Sequence, residues 1–128
     1  MKRGWKLSRN FIYNKQLVNE LTFYGAFDGE SLIGVIATKN EGKHISLFFI
    51  KPSYHRRGIG KQLFKTAILN QPGSEMTVNS SSYAIPIYRK LGFEPVCEEQ
   101  VTHGMKYTPM KRMGTKSKRI RESLLKRL

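Results

Sequence analysis

Cysteine is nearly absent from this chain. Cys97 is its only thiol, so an intramolecular disulfide is excluded, and no Cys/His cluster has the spacing of a structural zinc site. No metal is expected, and a reducing cytoplasm is the natural setting for such a sequence. Long apolar runs are missing too: the longest, such as Ile45 to Ile50, fall far short of the roughly 20 residues that cross a bilayer. Residues 1–15 lack the apolar centre of a secretory signal, so the expectation is a soluble, uncleaved chain without a membrane span. Acids are the third scarcity. Against 23 Lys and Arg stand 9 Asp and Glu, a formal net charge of +14, and such a balance invites a nucleic-acid reading. The excess, however, sits at the ends. Residues 1–15 carry Lys2, Arg3, Lys6, Arg9 and Lys15 without an acid, residues 111–128 carry eight bases against Glu122, and the stretch between holds ten bases and eight acids. A chain of 128 residues fits one ordinary domain of about 100 to 200 residues, expected here over 1–112, with a basic helix or tail over 113–128.

What is present is patterned. Leu21, Phe23, Tyr24 and Phe27 favour a strand, Asp28-Gly29-Glu30 a turn, and Ser31 to Thr38 the returning strand. Asn40-Glu41-Gly42-Lys43 is a second turn, followed by a third strand from His44 to Lys51. Beyond Pro52 the period changes: Leu63, Phe64, Ala67 and Ile68 fall at helical spacing between Gly60 and Asn70, and Gln71-Pro72-Gly73 ends the run. A short strand, Met76 to Asn79, leads to Ser80-Ser81-Ser82, all good helix caps, and a helix from Tyr83 to Leu91 that Gly92 would stop. Phe93 to Val101 and Met105 to Met110, joined by Thr102-His103-Gly104, read as a closing hairpin, with Cys97 as a small buried strand residue. The expected order is β-β-β-α-β-α-β-β.

The stretch richest in chemistry is Ile50-Lys51-Pro52-Ser53-Tyr54-His55-Arg56-Arg57-Gly58-Ile59-Gly60-Lys61. Glycines between a strand and a helix let backbone N–H groups approach a ligand, and the helix start adds partial positive charge, a combination suited to phosphate. Two familiar phosphate loops are excluded: the dinucleotide fingerprint lacks its third glycine, and Gln62 stands where a P-loop needs Ser or Thr.

His55-Arg56-Arg57-Gly58-Ile59-Gly60 instead resembles the acetyl-CoA pyrophosphate loop of the GNAT superfamily of N-acetyltransferases, which reads Gln or Arg, two residues, Gly, one residue, then Gly or Ala. A second, independent match is Ala84-Ile85-Pro86-Ile87-Tyr88-Arg89-Lys90-Leu91-Gly92-Phe93, similar to the family's second signature, a helical Tyr preceding Leu-Gly-Phe. The resemblance spans about residues 21–110. It implies an α/β (α+β) acyl-CoA N-acyltransferase fold with a mixed, mostly antiparallel sheet and splayed central parallel strands. It also implies binding of acetyl-CoA: pantetheine on the strand edge at Phe48, Phe49 and Ile50, pyrophosphate on backbone N–H groups from Arg56 to Lys61, and a strand N–H near Phe49 polarising the thioester carbonyl. By the same resemblance Tyr88 is the general acid or hydrogen-bond donor to the leaving sulfur; the plain structural reading is an amphipathic core tyrosine.

Departures from the family pattern carry information as well. His55 replaces the usual Gln or Arg. The Asn often found seven residues before the Tyr is here Ser81, which either loses that pantetheine contact or supplies a hydroxyl. Asn79 is read as a contact to pantetheine or acceptor, or as a turn former at a strand end. Glu20, His44, Glu98 and Glu99 are candidate bases without a distinguishing feature, and none is assigned. The family's opening strand and two helices look truncated, with Asn10 to Glu20 as one short helix, so that the acceptor site is open or completed by a second subunit. The basic run from Lys116 to Leu128, with Ile120, Leu124, Leu125 and Leu128 as its stripe, reads as a solvated tail, a helix docking on a dimer partner or on its own chain, or a nucleic-acid or anionic-surface contact. It lacks the interleaved aromatics that stack on bases. The expectation is an acetyl-CoA-dependent N-acetyltransferase acting on a primary amine; the rival is a catalytically weak CoA-binding module whose basic ends hold nucleic acid or an acidic partner.

Overall fold

The computed structural model describes residues 6–10, 21–69, 75–114 and 124–125. The chain falls into two compact units, Met1–Gln71 and Pro72–Leu128.

In the first unit, four strands, β1 (Lys6–Asn10), β2 (Thr22–Asp28), β3 (Ser31–Lys39) and β4 (His44–Ile50), precede helix α1 (Ile59–Leu69). They pair in chain order, every neighbour antiparallel, because each is joined to the next closely enough to fold back. The turns are where Gly29 and the Asn40-Glu41-Gly42 stretch take positive φ. Strand β1 corrects the expectation that the sheet begins near Leu21. Its five residues, KLSRN, include one apolar residue, too few for an alternation to show in the sequence. Asn10, the expected start of a short helix running to Glu20, ends β1 instead; the rest of that segment lies outside the described residues.

Helix α1 buries Ile59, Leu63, Phe64 and Ala67; of the expected stripe Leu63, Phe64 and Ala67 are buried and Ile68 is half-buried, and in the same unit Ile33 and Ile36 of β3 are almost fully buried. Four such side chains contribute on the order of 1.5–3 kcal/mol each for the larger ones. Gly34 lets helix and strand close up: a Cβ there would stand 2.7 Å from Ile50 Cδ1 and 3.3 Å from Leu63 Cδ1.

In the second unit, β8 (Met105–Arg112) is the common partner. Strands β5 (Met76–Ser80), β6 (Glu94–Pro95) and β7 (Gln100–Thr102) all pair with it antiparallel, and helix α2 (Ile85–Lys90) lies between β5 and β6 in sequence. Met76, Val78, Tyr88, Phe93 and Met110 are buried. The single strand expected from Phe93 to Val101 is broken in two, since Pro95 offers no N–H to the ladder and residues 96–98 bend away. Cys97 falls in that bend and is exposed, not buried, with Gln100 Nε2 donating to its sulfur at 3.7 Å and to Glu98 O at 2.8 Å. Of the basic helix expected over Lys116 to Leu128, only Leu124 and Leu125 are described, both exposed; the rest lies outside the described residues. Among the described residues no helix is long and apolar enough to cross a membrane.

Candidate functional site

Between β4 and α1 the chain turns through residues 51–58, and each feature of the turn has a local cause. Pro52 opens a single 3-10 turn, Pro52–Tyr54, at a position where a missing N–H is harmless. The Tyr54 hydroxyl donates to Asp28 Oδ2 at 2.5 Å, tying the turn to the end of β2. The Arg57 guanidinium lies over the Tyr54 ring, 4.9 Å from its centroid. His55 leaves the turn extended, and its Nε2–H donates to the Ile50 carbonyl at 2.8 Å. The residue at the head of the expected phosphate loop thus latches the loop onto the last residue of β4, while Arg56, Arg57 and Lys61 are exposed.

Arg56 and Gly58 take φ of 64° and 79°, and left-handed residues in a turn are the geometry from which anion-binding concavities of N–H groups are built. The Gly58 carbonyl accepts from the Gln62 N–H at 3.1 Å. Gly58 therefore precedes the first helical turn and, lacking a side chain, cannot cap it. No acid stands in that turn; Lys61 does, which is the wrong sign for the positive end of a helix unless an anion sits there. A Cβ on Gly58 would meet nothing within 4 Å, whereas one on Gly60 would touch the Phe48 ring at 3.6 Å and Ile50 at 3.7 Å. In this unit, then, the structure brings the loop residues His55 and Gly60 onto Phe48 and Ile50, and leaves the Phe49 side chain 51% exposed.

The other expected residues, Asn79, Ser81 and Tyr88, lie in the second unit. Asn79 is exposed near the end of β5, in register with Pro109. Ser81 Oγ accepts from the Ala84 N–H at 3.2 Å, and the Ala84 carbonyl accepts from the Tyr88 N–H at 3.0 Å, so Ser81 holds the turn that launches α2 toward Tyr88. Tyr88 is 8% exposed, and burial pushes its phenol up to about 12. Its ring meets Phe93 edge-on, centroids 5.5 Å apart at 70°. The end of this helix explains the Leu-Gly-Phe signature. Gly92, at φ 97°, donates its N–H to Arg89 O at 3.0 Å and Phe93 donates to Tyr88 O at 3.0 Å, the paired bonds of a Schellman cap with its usual apolar contact across it. Arg112 Nε donates to Leu91 O at 2.9 Å, placing a cation at the negative end of the helix.

Sequence reasoning read the closing β7–β8 hairpin but not its place beside Asn79 and Ser81. Thr102, His103, Met105, Lys106 and Tyr107 join Asn79 and Ser81 around an open cavity of about 460 Å³. The Thr102-His103-Gly104 turn was visible as a turn; its nearness to Asn79 follows from the long-range β5–β8 pairing and has no local signal. Among the candidate bases, Glu98 and Glu99 are exposed. The His44 imidazole is held below its ordinary value by burial and then by Lys39, and it starts β4, about 20 Å along the strand from Ile50. Among the described residues there is no cluster of three or more His, Cys, Asp or Glu that could hold a metal ion.

With this geometry in view, the comparisons with known proteins are specific. Residues 6–113 match the model of the Acetyltransferase (GNAT) domain, and the chain belongs to that family. It is 36% identical over 58 residues to the uncharacterized N-acetyltransferase YafP of Escherichia coli, a match that takes in 45% of this chain and 37% of that protein. The crystal structure of the PaiA N-acetyltransferase from Thermoplasma acidophilum in complex with coenzyme A is 28% identical, with a TM-score of 0.58 over 73% of this chain and 61% of that one. The IAA acetyltransferase from Bacillus cereus, 20% identical, superposes with a TM-score of 0.64 over 86% of this chain and 99% of that one. The fold is accordingly the mixed α/β GNAT fold with a mostly antiparallel sheet.

Proposed function

We propose that the protein is an acetyl-CoA-dependent N-acetyltransferase acting on a primary amine. The observation that carries this reading is the start of α1: a helix that opens on Gly58, which has no side chain to cap it, with no acid in its first turn, Lys61 within it, and open space over left-handed Gly58. That is a seat for a pyrophosphate. Backbone N–H groups from Arg56 to Lys61 hold it, with Arg57 stacked on Tyr54 alongside, and the strand backbone at Phe48, Phe49 and Ile50 is the expected track for pantetheine. Family membership and the coenzyme A complex of the PaiA relative support the same assignment.

Acetyl-CoA supplies an acyl thioester. The amine nitrogen bonds to the acyl carbon, the C–S bond breaks, and coenzyme A leaves as the thiol with the proton the amine gives up through water. A strand N–H near Phe49 faces the charge that develops on the carbonyl oxygen. For Tyr88, the raised phenol supports the role of hydrogen-bond donor. Full transfer of a proton from a group near 12 to a thiolate of about 8.5 runs uphill by several kcal/mol. Tyr88 therefore acts as a neutral hydrogen-bond donor to the sulfur rather than giving up its proton.

Calorimetric titration with acetyl-CoA and coenzyme A, followed by thiol release over a panel of amines and lysine peptides, tests the reading. Micromolar binding with amine-dependent release is the expected result. Binding without release by any amine favours the CoA-binding module, and no binding overturns the assignment of residues 55–61.

A further inference from the structure

The cavity beside the β7–β8 hairpin has one sign of charge. Of its seven lining residues, Lys106 is a cation, His103 a nitrogen base, Asn79, Ser81, Thr102 and Tyr107 are neutral polar groups, and none is an acid. Among the described residues, the acids of this unit stand elsewhere. Glu75 pairs with Lys111 at 3.2 Å, and Glu94 lies 3.8 Å from Arg89, while Glu98 and Glu99 stand in the exposed bend before β7. Lys106 is in register with Val101, so no acid faces it across the ladder.

The hairpin tip is unusual in a second way. His103 and Gly104 form a two-residue turn with φ of 52° and 76°, both left-handed, where Asn or Asp followed by Gly is the easy choice. A histidine in that conformation is disfavoured on backbone grounds alone, yet it is the residue that stands there, lining the cavity. The hydroxyls of Thr102 and Tyr107, 3.4 Å apart, link the two strands just behind it. On the opposite side, Ser81 is the residue that launches α2 toward Tyr88.

We infer that this cavity is the acceptor subsite and that it selects primary amines that also carry an anionic group, a carboxylate or a phosphate, with Lys106 and His103 as its specificity-determining residues. The inference rests on the acetyltransferase reading above. A cationic acceptor such as a polyamine or a lysine-rich peptide would meet like charge at this rim, whereas an anion gains a charge-assisted hydrogen bond from Lys106. The group transferred and its balance are unchanged: the anion is a handle and takes no part in bond making.

The test is thiol release from acetyl-CoA with matched acceptor pairs that differ only in the anion: tyrosine and tyramine, phenylalanine and phenethylamine, glucosamine 6-phosphate and glucosamine. The anionic member of at least one pair should show kcat/KM higher by roughly tenfold or more, the scale of one charge-assisted bond. Lys106→Gln should collapse that ratio by raising KM for the anionic member, and His103→Asn, which suits the left-handed turn and so keeps the hairpin, should lower the ratio while thermal melting holds. Turnover with equal efficiency within every pair, or a preference for the members that lack the anion, overturns the inference and leaves the transferase reading standing. A rise in KM for acetyl-CoA rather than for the acceptor in Lys106→Gln assigns the lysine to a phosphate of the cofactor and also overturns it. Tight acetyl-CoA binding without thiol release to any amine strikes the transferase reading itself, and the inference falls with it.

Discussion

Two glycines with positive φ, Gly58 and Gly92, stand at opposite kinds of helix end, and the contrast separates a binding surface from a structural joint. At Gly92 the protein satisfies itself: the backbone closes a Schellman cap, Phe93 packs on Tyr88, and a Cβ would press on Arg112 Nε at 3.2 Å. At Gly58 the next helix begins with neither a capping side chain nor an acid, and a Cβ would meet nothing within 4 Å. The same backbone conformation serves both. What differs is what meets the helix end: at Gly92 it is the chain's own backbone and Arg112, and at Gly58 two exposed arginines and a lysine stand around it.

The comparison can be broken most decisively through Tyr88, the residue that the closed end holds in place. Tyr88→Phe keeps the ring against Phe93 and removes only the hydroxyl, so kcat should fall about a hundredfold while calorimetric affinity for coenzyme A stays within error; an unchanged kcat would remove Tyr88 from the chemistry. The same variant has a signature in alkali. The folded state raises the phenol from 10 to about 12, so it binds the proton more tightly than the unfolded chain does. That contribution to stability is complete below pH 10 and is lost as pH climbs through 12. Melting temperatures across this window should drop more steeply for the parent protein than for Tyr88→Phe.

Next in size, Arg112→Met removes a charged donor from the Leu91 carbonyl and should lower stability by about 1.5–3 kcal/mol, read as a denaturation midpoint; a shift below about 0.5 kcal/mol would mean that the Schellman bonds alone close this end. Gly58→Val acts at the open end. The side chain fits the space but resists the left-handed backbone by about 1–2 kcal/mol, so the N–H groups move and acetyl-CoA affinity should fall about tenfold; equal affinity would show that this turn does not touch the cofactor. The smallest effect sharpens the picture. Gly60→Ala points a methyl at Phe48 and Ile50 at ordinary contact distance, and should raise stability by about 0.5–1 kcal/mol, because glycine is the poorer helix residue.

Much of this was legible in the chain. Asp28-Gly29 and Asn40-Glu41-Gly42 marked their turns, the spacing of Leu63, Phe64 and Ala67 marked the buried face of α1, and Leu91-Gly92-Phe93 marked a helix end because only glycine takes that φ without strain. Other parts lay beyond local signals. Strand β1 holds a single apolar residue, Pro95 broke a stretch whose composition was otherwise strand-like, and Cys97 became exposed once the chain bent there. His55 fitted the loop by position, but its bond to the Ile50 carbonyl depends on where β4 ends. The rim formed by His103 and Lys106 required β8 to lie beside β5, a pairing between distant segments that no window of sequence contains.

The chain of contacts from Asp28 through Tyr54 to Arg57 bears on the thermodynamics of capture. A free arginine loses about 0.5–1.5 kcal/mol of rotamer entropy when a ligand immobilises it. Arg57 has surrendered part of that freedom on folding, because the ring beneath it is itself held by a carboxylate from the neighbouring hairpin. Its attraction for a polyphosphate is correspondingly less diluted by disorder, and a substitution at Asp28, on a different turn of the chain, should weaken cofactor binding through entropy while the enthalpy of the contact is kept.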